Sequence, residues 1–296
     1  MHIEQLSPED LAAEQSALEE SYLALGRRQL SLDLTRGKPS TEQVSLSNAL
    51  DGILAENFVS ESGIDVRNYG GLDGLEEAKR LFSNMLGVNS ADVLIGGNSS
   101  LTLMYTVVEL ALSVGLDGSA SAWGNSEEVK FLCPVPGYDR HFAICEHLGI
   151  EMIPVPMLET GPDMDTAERL VKADNSIKGI WCVPRFSNPT GCVYSDSTVE
   201  RLAALGKIAG DHFVVMYDNA YAVHALHDKA PALANISDYC AKHDTANSVF
   251  QFGSTSKITF AGAGVAFLSS GASNLAALRD HLSFQSIGPD KVNQLR

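Results

Sequence analysis

Seven short apolar runs, most of them separated by helical segments, constrain this chain more than any other feature. They lie at 92–95 (DVLI), 129–133 (VKFLC), 151–155 (EMIPV), 178–183 (KGIWCV), 213–217 (FVVMY), 248–252 (SVFQF) and 263–268 (AGVAFL). Runs this short and this apolar suit strands buried on both faces. Their alternation with helices implies an α/β domain built on a mainly parallel sheet. Residues 8–27 read as a helix, with Ser7 as cap, Pro8 in the first turn, and Glu9 and Asp10 at the positive end. Residues 75–86 place apolar side chains at 75, 78, 81, 82, 85 and 86, the spacing of a one-faced helix. A further helix is expected over 197–209, opened by the capping-box spacing of Ser197 and Glu200.

Parallel sheets bind ligands beyond the carboxyl ends of their strands. The residues that follow the apolar runs are GGNSSLT (96–102), PVPGYDRH (134–141), PRFSNPTG (184–191), DNAY (218–221) and GSTSK (253–257). All five carry polar or aromatic chemistry. GGNSSLT offers glycines, hydroxyls and free helical N–H groups, either an anion seat or a capped turn. Tyr138 is placed to stack on a flat heterocycle, or to cover a core edge. Asn188, before Pro189, marks a turn, or aims an amide at a ring hydroxyl. Asp218 at a buried strand end needs a partner, since an unpaired buried charge is costly. A protonated pyridine nitrogen is such a partner, and capping the next helix is the alternative. Tyr221 can donate to a phenolate oxygen. Lys257 supplies an amine for a carbonyl, with hydroxyls alongside. Together these groups describe one ligand, pyridoxal 5′-phosphate (PLP).

Composition narrows the rest. With 296 residues and 45% hydrophobic content, the chain is long enough for one large α/β domain and something smaller. Against 37 acidic residues stand 21 basic ones, a net charge of −16. That field disfavours nucleic acid and anionic membranes, so an anionic ligand needs a local positive site. The five cysteines are widely spaced, with no C-x-x-C pair. They suggest neither a zinc site nor a disulfide framework; no metal is expected, and a reducing, cytoplasmic setting is. The first residues, MHIEQLSPEDLAAEQ, are unlike a signal or transit peptide, and no apolar run is long enough to span a membrane.

The order Tyr69, GGNSS, Tyr138, NPTG, DNAY, STSK resembles the fold-type I PLP-dependent aminotransferases of class I/II. LDLTRGKPS, RNYGGLDGL, PGYDRHF and SKITFAGAGVAF are similar to a bacterial aspartate aminotransferase subgroup, a match running from about residue 31 to the end. The resemblance implies a three-layer αβα large domain with a mainly parallel, mixed central sheet over 46–296. Residues 1–45 would be the N-terminal helix and loop of a small domain, incomplete here and continued after 296. It implies Lys257 as Schiff-base lysine and proton shuttle, Asp218 as partner of the ring nitrogen, and Asn188 and Tyr221 on the ring oxygen. Tyr138 would stack on the ring, and Ser99, Ser100, Ser254 and Ser256 would hold phosphate. Tyr69 would reach the phosphate of a neighbouring subunit, which makes a homodimer with shared sites the expected assembly. Arg36, Gly37, Asn188 and Arg140 are the candidates for binding substrate, with a structural ion pair as the other reading of each arginine.

The chain departs from the wider family's pattern in two places. The phosphate-binding arginine expected eight residues after the lysine is Val265, which leaves helix N–H groups, hydroxyls or another cation to meet the phosphate. The segment with the arginine for the substrate α-carboxylate is expected beyond Arg296. The implied activity is transamination of an acidic amino acid in amino acid metabolism, from L-aspartate and 2-oxoglutarate to oxaloacetate and L-glutamate. Three alternatives stay open: a β-lyase or decarboxylase using the same cofactor, an impaired PLP-binding fragment, and a non-catalytic ligand-sensing domain. The last usually follows a DNA-binding domain, and only residues 1–31 precede the LDLTRGKPS loop.

Overall fold

The computed structural model describes residue 3, residues 6–32 and residues 37–296. Contacts divide the chain into two units, 1–40 and 41–296. The first contains helix α1 (Pro8–Arg27). The Ser7 hydroxyl accepts from the Asp10 N–H, Pro8 opens the first turn, and none of its residues is buried. Its apolar side chains, Leu11, Leu18, Tyr22, Leu23 and Leu25, are exposed.

The second unit is built on eight strands: β1 (Val93–Ile95), β2 (Lys130–Val135), β3 (Glu151–Leu158), β4 (Gly161–Pro162), β5 (Ile177–Cys182), β6 (Val214–Asp218), β7 (Val249–Ser254) and β8 (Ala266–Ser269). The seven apolar runs account for all but the two-residue β4. Their order is β1-β8-β7-β6-β5-β2-β3-β4. The five strands from β7 to β3 run parallel, while β8 is antiparallel to both β7 and β1, and β4 is antiparallel to β3. The sheet is therefore mixed, as expected. Register aligns Cys182 with Tyr217 and Asp218 with Phe252, so the chemistry-bearing ends of β5, β6 and β7 emerge at one edge.

Helices α2 (Thr41–Ser45), α3 (Glu76–Leu86), α4 (Ser100–Ser113), α5 (Asp139–His147), α6 (Met164–Ala173), α7 (Asp196–Ala204), α8 (Ile236–His243), α9 (Ala272–Gln285) and α10 (Lys291–Leu295) complete the unit. On one sheet face α4, α5 and α9 pack over Trp181, Met216 and Phe250. On the other, α6, α7 and α8 cover Cys182, Val215 and Tyr217. Burial on both faces is why β6 reads as an uninterrupted apolar run. A third cluster joins α3 to the β1–β8 edge, where Phe82 stacks on Phe267 at 4.0 Å.

Two local expectations are corrected. Helix α7 is capped by Ser195, not Ser197: the Ser195 backbone is extended and its hydroxyl accepts from the Thr198 N–H at 3.2 Å. Ser197 lies inside the first turn, and the α-helix ends at Ala204 before a 3₁₀ turn over Leu205–Lys207. A Cβ on Gly206 would come within 2.2 Å of the Ser248 hydroxyl, so that turn needs glycine for close approach. In α3 the buried stripe is Ala78, Lys79, Phe82, Ser83 and Leu86. Leu81 falls outside it and is exposed, whereas Lys79 takes a buried place because its amine bonds Asp73 at 2.7 Å.

The corrected cap gives a direct check. Ser195→Ala should lower stability by about 1 kcal/mol in chemical denaturation. Ser197→Ala should change it by no more than about 0.5 kcal/mol.

Candidate active site

Strand β6 ends on Asp218, only 5% exposed. One of its oxygens, Oδ2, lies 3.1 Å from Nε2 of His141, itself 1% exposed. The other, Oδ1, is buried without a hydrogen-bond partner. His141 comes from the first turn of α5, just past the cis Val135–Pro136 turn. Its ring stacks on Trp181 of β5 at 4.5 Å and 12°, and meets the Tyr138 ring edge-on at 5.1 Å. Asp218 caps no helix: it is followed by a turn over 220–223, and the Asn219 N–H continues the ladder to the Phe252 carbonyl. The sequence singled out Tyr138 and passed over His141, three residues on and one helical turn away.

The lysine sits on a separate turn. Strand β7 ends at Ser254, and the next turn is closed by Ile258 and Thr259 N–H groups donating to the Thr255 carbonyl, both at 2.9 Å. Thr255 is fixed in turn to Val265: its N–H reaches the Val265 carbonyl and its hydroxyl accepts from the Val265 N–H. A Cβ on Gly264 would meet that hydroxyl at 2.4 Å, which accounts for the glycine there. Lys257 is exposed, and His224 Nε2 donates to its backbone carbonyl at 3.1 Å.

Two loops meet beside this turn. Ser99 caps α4 by accepting from the Thr102 N–H, and Ser100 begins the helix. The neighbouring Asn98 amide donates to the Gly262 carbonyl at 3.0 Å, and the Ser256 hydroxyl reaches the Asn98 carbonyl at 3.4 Å. The Ser254 hydroxyl accepts from the Ser256 N–H. The hydroxyls of Ser99, Ser100, Ser254 and Ser256 thus belong to two interlocked loops at the N-terminus of α4, a geometry suited to an anion. Val265 is uncharged, and its side chain belongs to the apolar cluster of Phe82, Val93 and Ile95. A cation absent from the sequence reading stands nearby. The Arg296 guanidinium lies over the Phe260 ring at 5.7 Å and donates to the Ala263 carbonyl at 3.4 Å.

Other candidates are placed differently. Tyr221 is half-buried, its ring edge-on to His224. Burial, then the negative charge of Asp218, pushes its phenol above the ordinary range. Asn188 is exposed at the tip of a loop closed by Ser187 N–H donating to the Cys192 carbonyl, and its bond to Pro189 is cis. Tyr69 is 82% exposed. Its loop is held from below, where the Lys291 amine donates to the Gly70 carbonyl at 2.5 Å and the Leu75 N–H to Gln294. Asp73 in the same loop would be pushed up by burial, but Lys79 and Arg279 hold its carboxyl below the usual range. Arg140 faces the adjacent Asp139 carboxylate at 3.8 Å. Arg36 lies outside the described residues, and Gly37 belongs to the other unit. Arg185 was not anticipated: it stacks on Phe186 and ties together the Ala222 and Pro231 carbonyls of the loop after Tyr221.

The proximity of Tyr221 to Asp218 is measurable. In ultraviolet difference titrations against Tyr221→Phe, Tyr221 should ionise above the ordinary phenol value of about 10. Asp218→Asn removes one of the two causes, so the midpoint should fall while burial keeps it above that value.

The family model for aspartate amino-transferase matches residues 6–296. Over 92% of its length the chain is 46% identical to aspartate aminotransferase of Corynebacterium glutamicum, covering 62% of that protein. It is 48% identical to a Mycolicibacterium smegmatis relative, covering 70% of it. The crystal structure of an aspartate transaminase from C. glutamicum superimposes with a TM-score of 0.91 at 42% identity, over 100% of this chain and 69% of that one. The Thermus thermophilus α-aminoadipate aminotransferase LysN, at 23% identity and a TM-score of 0.69, shares the fold. The chain therefore spans between 62% and 70% of the lengths of these closer relatives. A mixed sheet ending in Asp218, a lysine turn beside interlocked serine loops, and matches along nearly the whole chain agree: it belongs to the aspartate aminotransferase family and has the fold of the PLP-dependent aminotransferases.

Proposed function

We propose that this chain carries the cofactor-binding centre of a PLP-dependent aminotransferase whose donor is an acidic amino acid, L-aspartate, and whose acceptor is 2-oxoglutarate. The observation that carries this reading is the orphaned Oδ1 of Asp218, buried while Oδ2 is held by His141. A buried carboxylate oxygen without a partner calls for a cationic N–H, and the protonated ring nitrogen of PLP meets that need. LysN, a protein of the same fold, forms a complex with N-(5'-phosphopyridoxyl)-L-leucine.

Bound PLP supplies the carbonyl carbon for the substrate amine and an electron sink for the charge left at the α-carbon. The protein's part is positioning and proton transfer. Lys257 Nζ would hold the cofactor at its carbonyl carbon, and its amine would take the proton from the substrate α-carbon. Asp218, oriented by His141, keeps the ring nitrogen protonated, and Tyr138 covers the ring face. The Tyr221 phenol, held protonated by burial and by Asp218, donates to the ring oxygen together with Asn188. Ser99, Ser100, Ser254 and Ser256 hold the phosphate at the N-terminus of α4, with no charge from position 265. Arg36, Gly37, Asn188 and Arg140 are proposed for the substrate carboxylates. The exposed Tyr69 reaches the phosphate of a second subunit in a homodimer with shared sites.

The test is an absorbance spectrum with added PLP, followed by titration with L-aspartate. The expected result is a lysine-linked PLP band that converts to the pyridoxamine phosphate spectrum, with oxaloacetate released. Absence of any band rejects the cofactor assignment, and a band indifferent to every amino acid rejects transamination. Lys257→Ala should lower turnover by about 10⁴-fold or more, and full activity in that variant would refute the lysine's role.

A further inference from the structure

Two loops leave the adjacent parallel strands β6 and β7, whose register pairs Asp218 with Phe252. The first carries Tyr221 and the second Lys257, and one side chain touches both. His224 closes the turn after Tyr221, its N–H donating to the Tyr221 carbonyl at 3.2 Å. Its ring meets the Tyr221 ring edge-on at 5.6 Å and 84°. Its Nε2 lies 3.1 Å from the Lys257 carbonyl, 33 residues further along the chain. A carbonyl only accepts, so Nε2 carries the hydrogen.

Nδ1 is then an acceptor, buried and without a hydrogen-bond partner. Buried polar atoms are normally paired. A phenyl ring would fill the same place against Tyr221 without burying an unpaired acceptor. Packing therefore does not account for an imidazole here, and the bond to Lys257 does. The loop that carries His224 is firmly held. The two terminal nitrogens of Arg185 bond the Ala222 and Pro231 carbonyls. The Ala222 N–H donates to the Asn219 carbonyl at 3.3 Å, and the Asn219 N–H to the Phe252 carbonyl of β7 at 2.9 Å. Lys257, by contrast, is exposed on its turn. A hydrogen bond from the held loop to the exposed turn restrains the turn.

We propose that His224 is a positioning residue for Lys257, setting the lysine turn against the Tyr221 loop through this one hydrogen bond. The role rests on the proposed use of PLP, in which Lys257 and Tyr221 serve one ligand. The Lys257 amine condenses with the PLP aldehyde and releases water. It makes no such link to pyridoxamine phosphate, which carries an amine in place of the aldehyde. A residue that positions only the lysine therefore matters for PLP and not for pyridoxamine phosphate.

The experiment is calorimetric titration of the ligand-free full chain with PLP and with pyridoxamine phosphate. His224→Phe keeps a ring against Tyr221 and removes the donor. It should weaken PLP about five- to tenfold and leave pyridoxamine phosphate unchanged. His224→Gln carries an amide N–H to the place of Nε2 and should restore the affinity for PLP. In a Lys257→Ala background, where the link cannot form, His224→Phe should have no further effect on PLP. Should His224→Phe not fold, His224→Asn takes its place, since its shorter amide reaches the position of Nδ1 and not that of Nε2. Equal weakening of both ligands, unchanged affinity for PLP, no recovery in His224→Gln, or the same loss in the Lys257→Ala background would each overturn the role of His224 alone. If the unchanged chain does not bind PLP, the use of PLP is refuted and this role with it.

Discussion

The hydrogen bond between Asp218 and His141 is the constraint on which the rest of the site depends. Desolvating an ion of this kind costs several kcal/mol, and a buried pair adds little net stability in return. Holding the carboxylate there requires three elements to agree. Strand β6 must end at Asp218, the turn from β2 into α5 must deliver His141, and β5 must present Trp181 as the surface on which the imidazole lies. The parallel pairing of β5 with β6 fixes the third relative to the first, and that of β2 with β5 places the second. The pair also leaves one carboxylate oxygen without a hydrogen-bond partner.

The lysine side of the site is organised by a different economy. Thr255 and Val265 clasp each other across the turn, and the loops before α4 and after β7 are tied through Asn98. Val265 closes an apolar cluster with Phe82 and Phe267. An arginine at that position would have to leave this cluster or be buried in it. The same edge is buttressed by Lys79, Asp73 and Arg279, which fix the loop that carries Tyr69.

Much of this was legible in the sequence, for a physical reason. Strands buried on both faces cannot alternate in polarity, so each appears as an apolar run whose end is marked by the first functional side chain. Asp218 follows such a run directly, and Lys257 lies a short turn beyond another. His141 does not stand out, because its partner lies 77 residues away in sequence and only the folded sheet brings them together. Arg185 was hidden for the same reason, since its contacts are to backbone carbonyls and a carbonyl has no sequence signature. The cap of α7 was misplaced because two serines two residues apart satisfy similar spacing rules, and only backbone geometry chooses Ser195. The stripe of α3 was misread at Leu81 because polarity suggested a face that Lys79, neutralised by Asp73, takes instead.

The stacking of His141 on Trp181 has an optical consequence. The chain has two tryptophans. The other, Trp123, lies one aromatic ring away across Phe131, its indole N–H given to the His212 carbonyl. Trp181 gives its own N–H to the Cys145 sulfur and its face to the imidazole. Indole emission is quenched by a cationic imidazole in contact with it. In a Trp123→Phe background, the remaining fluorescence is therefore a built-in reporter of the contact between the His141 imidazole and Trp181, readable without any ligand or label.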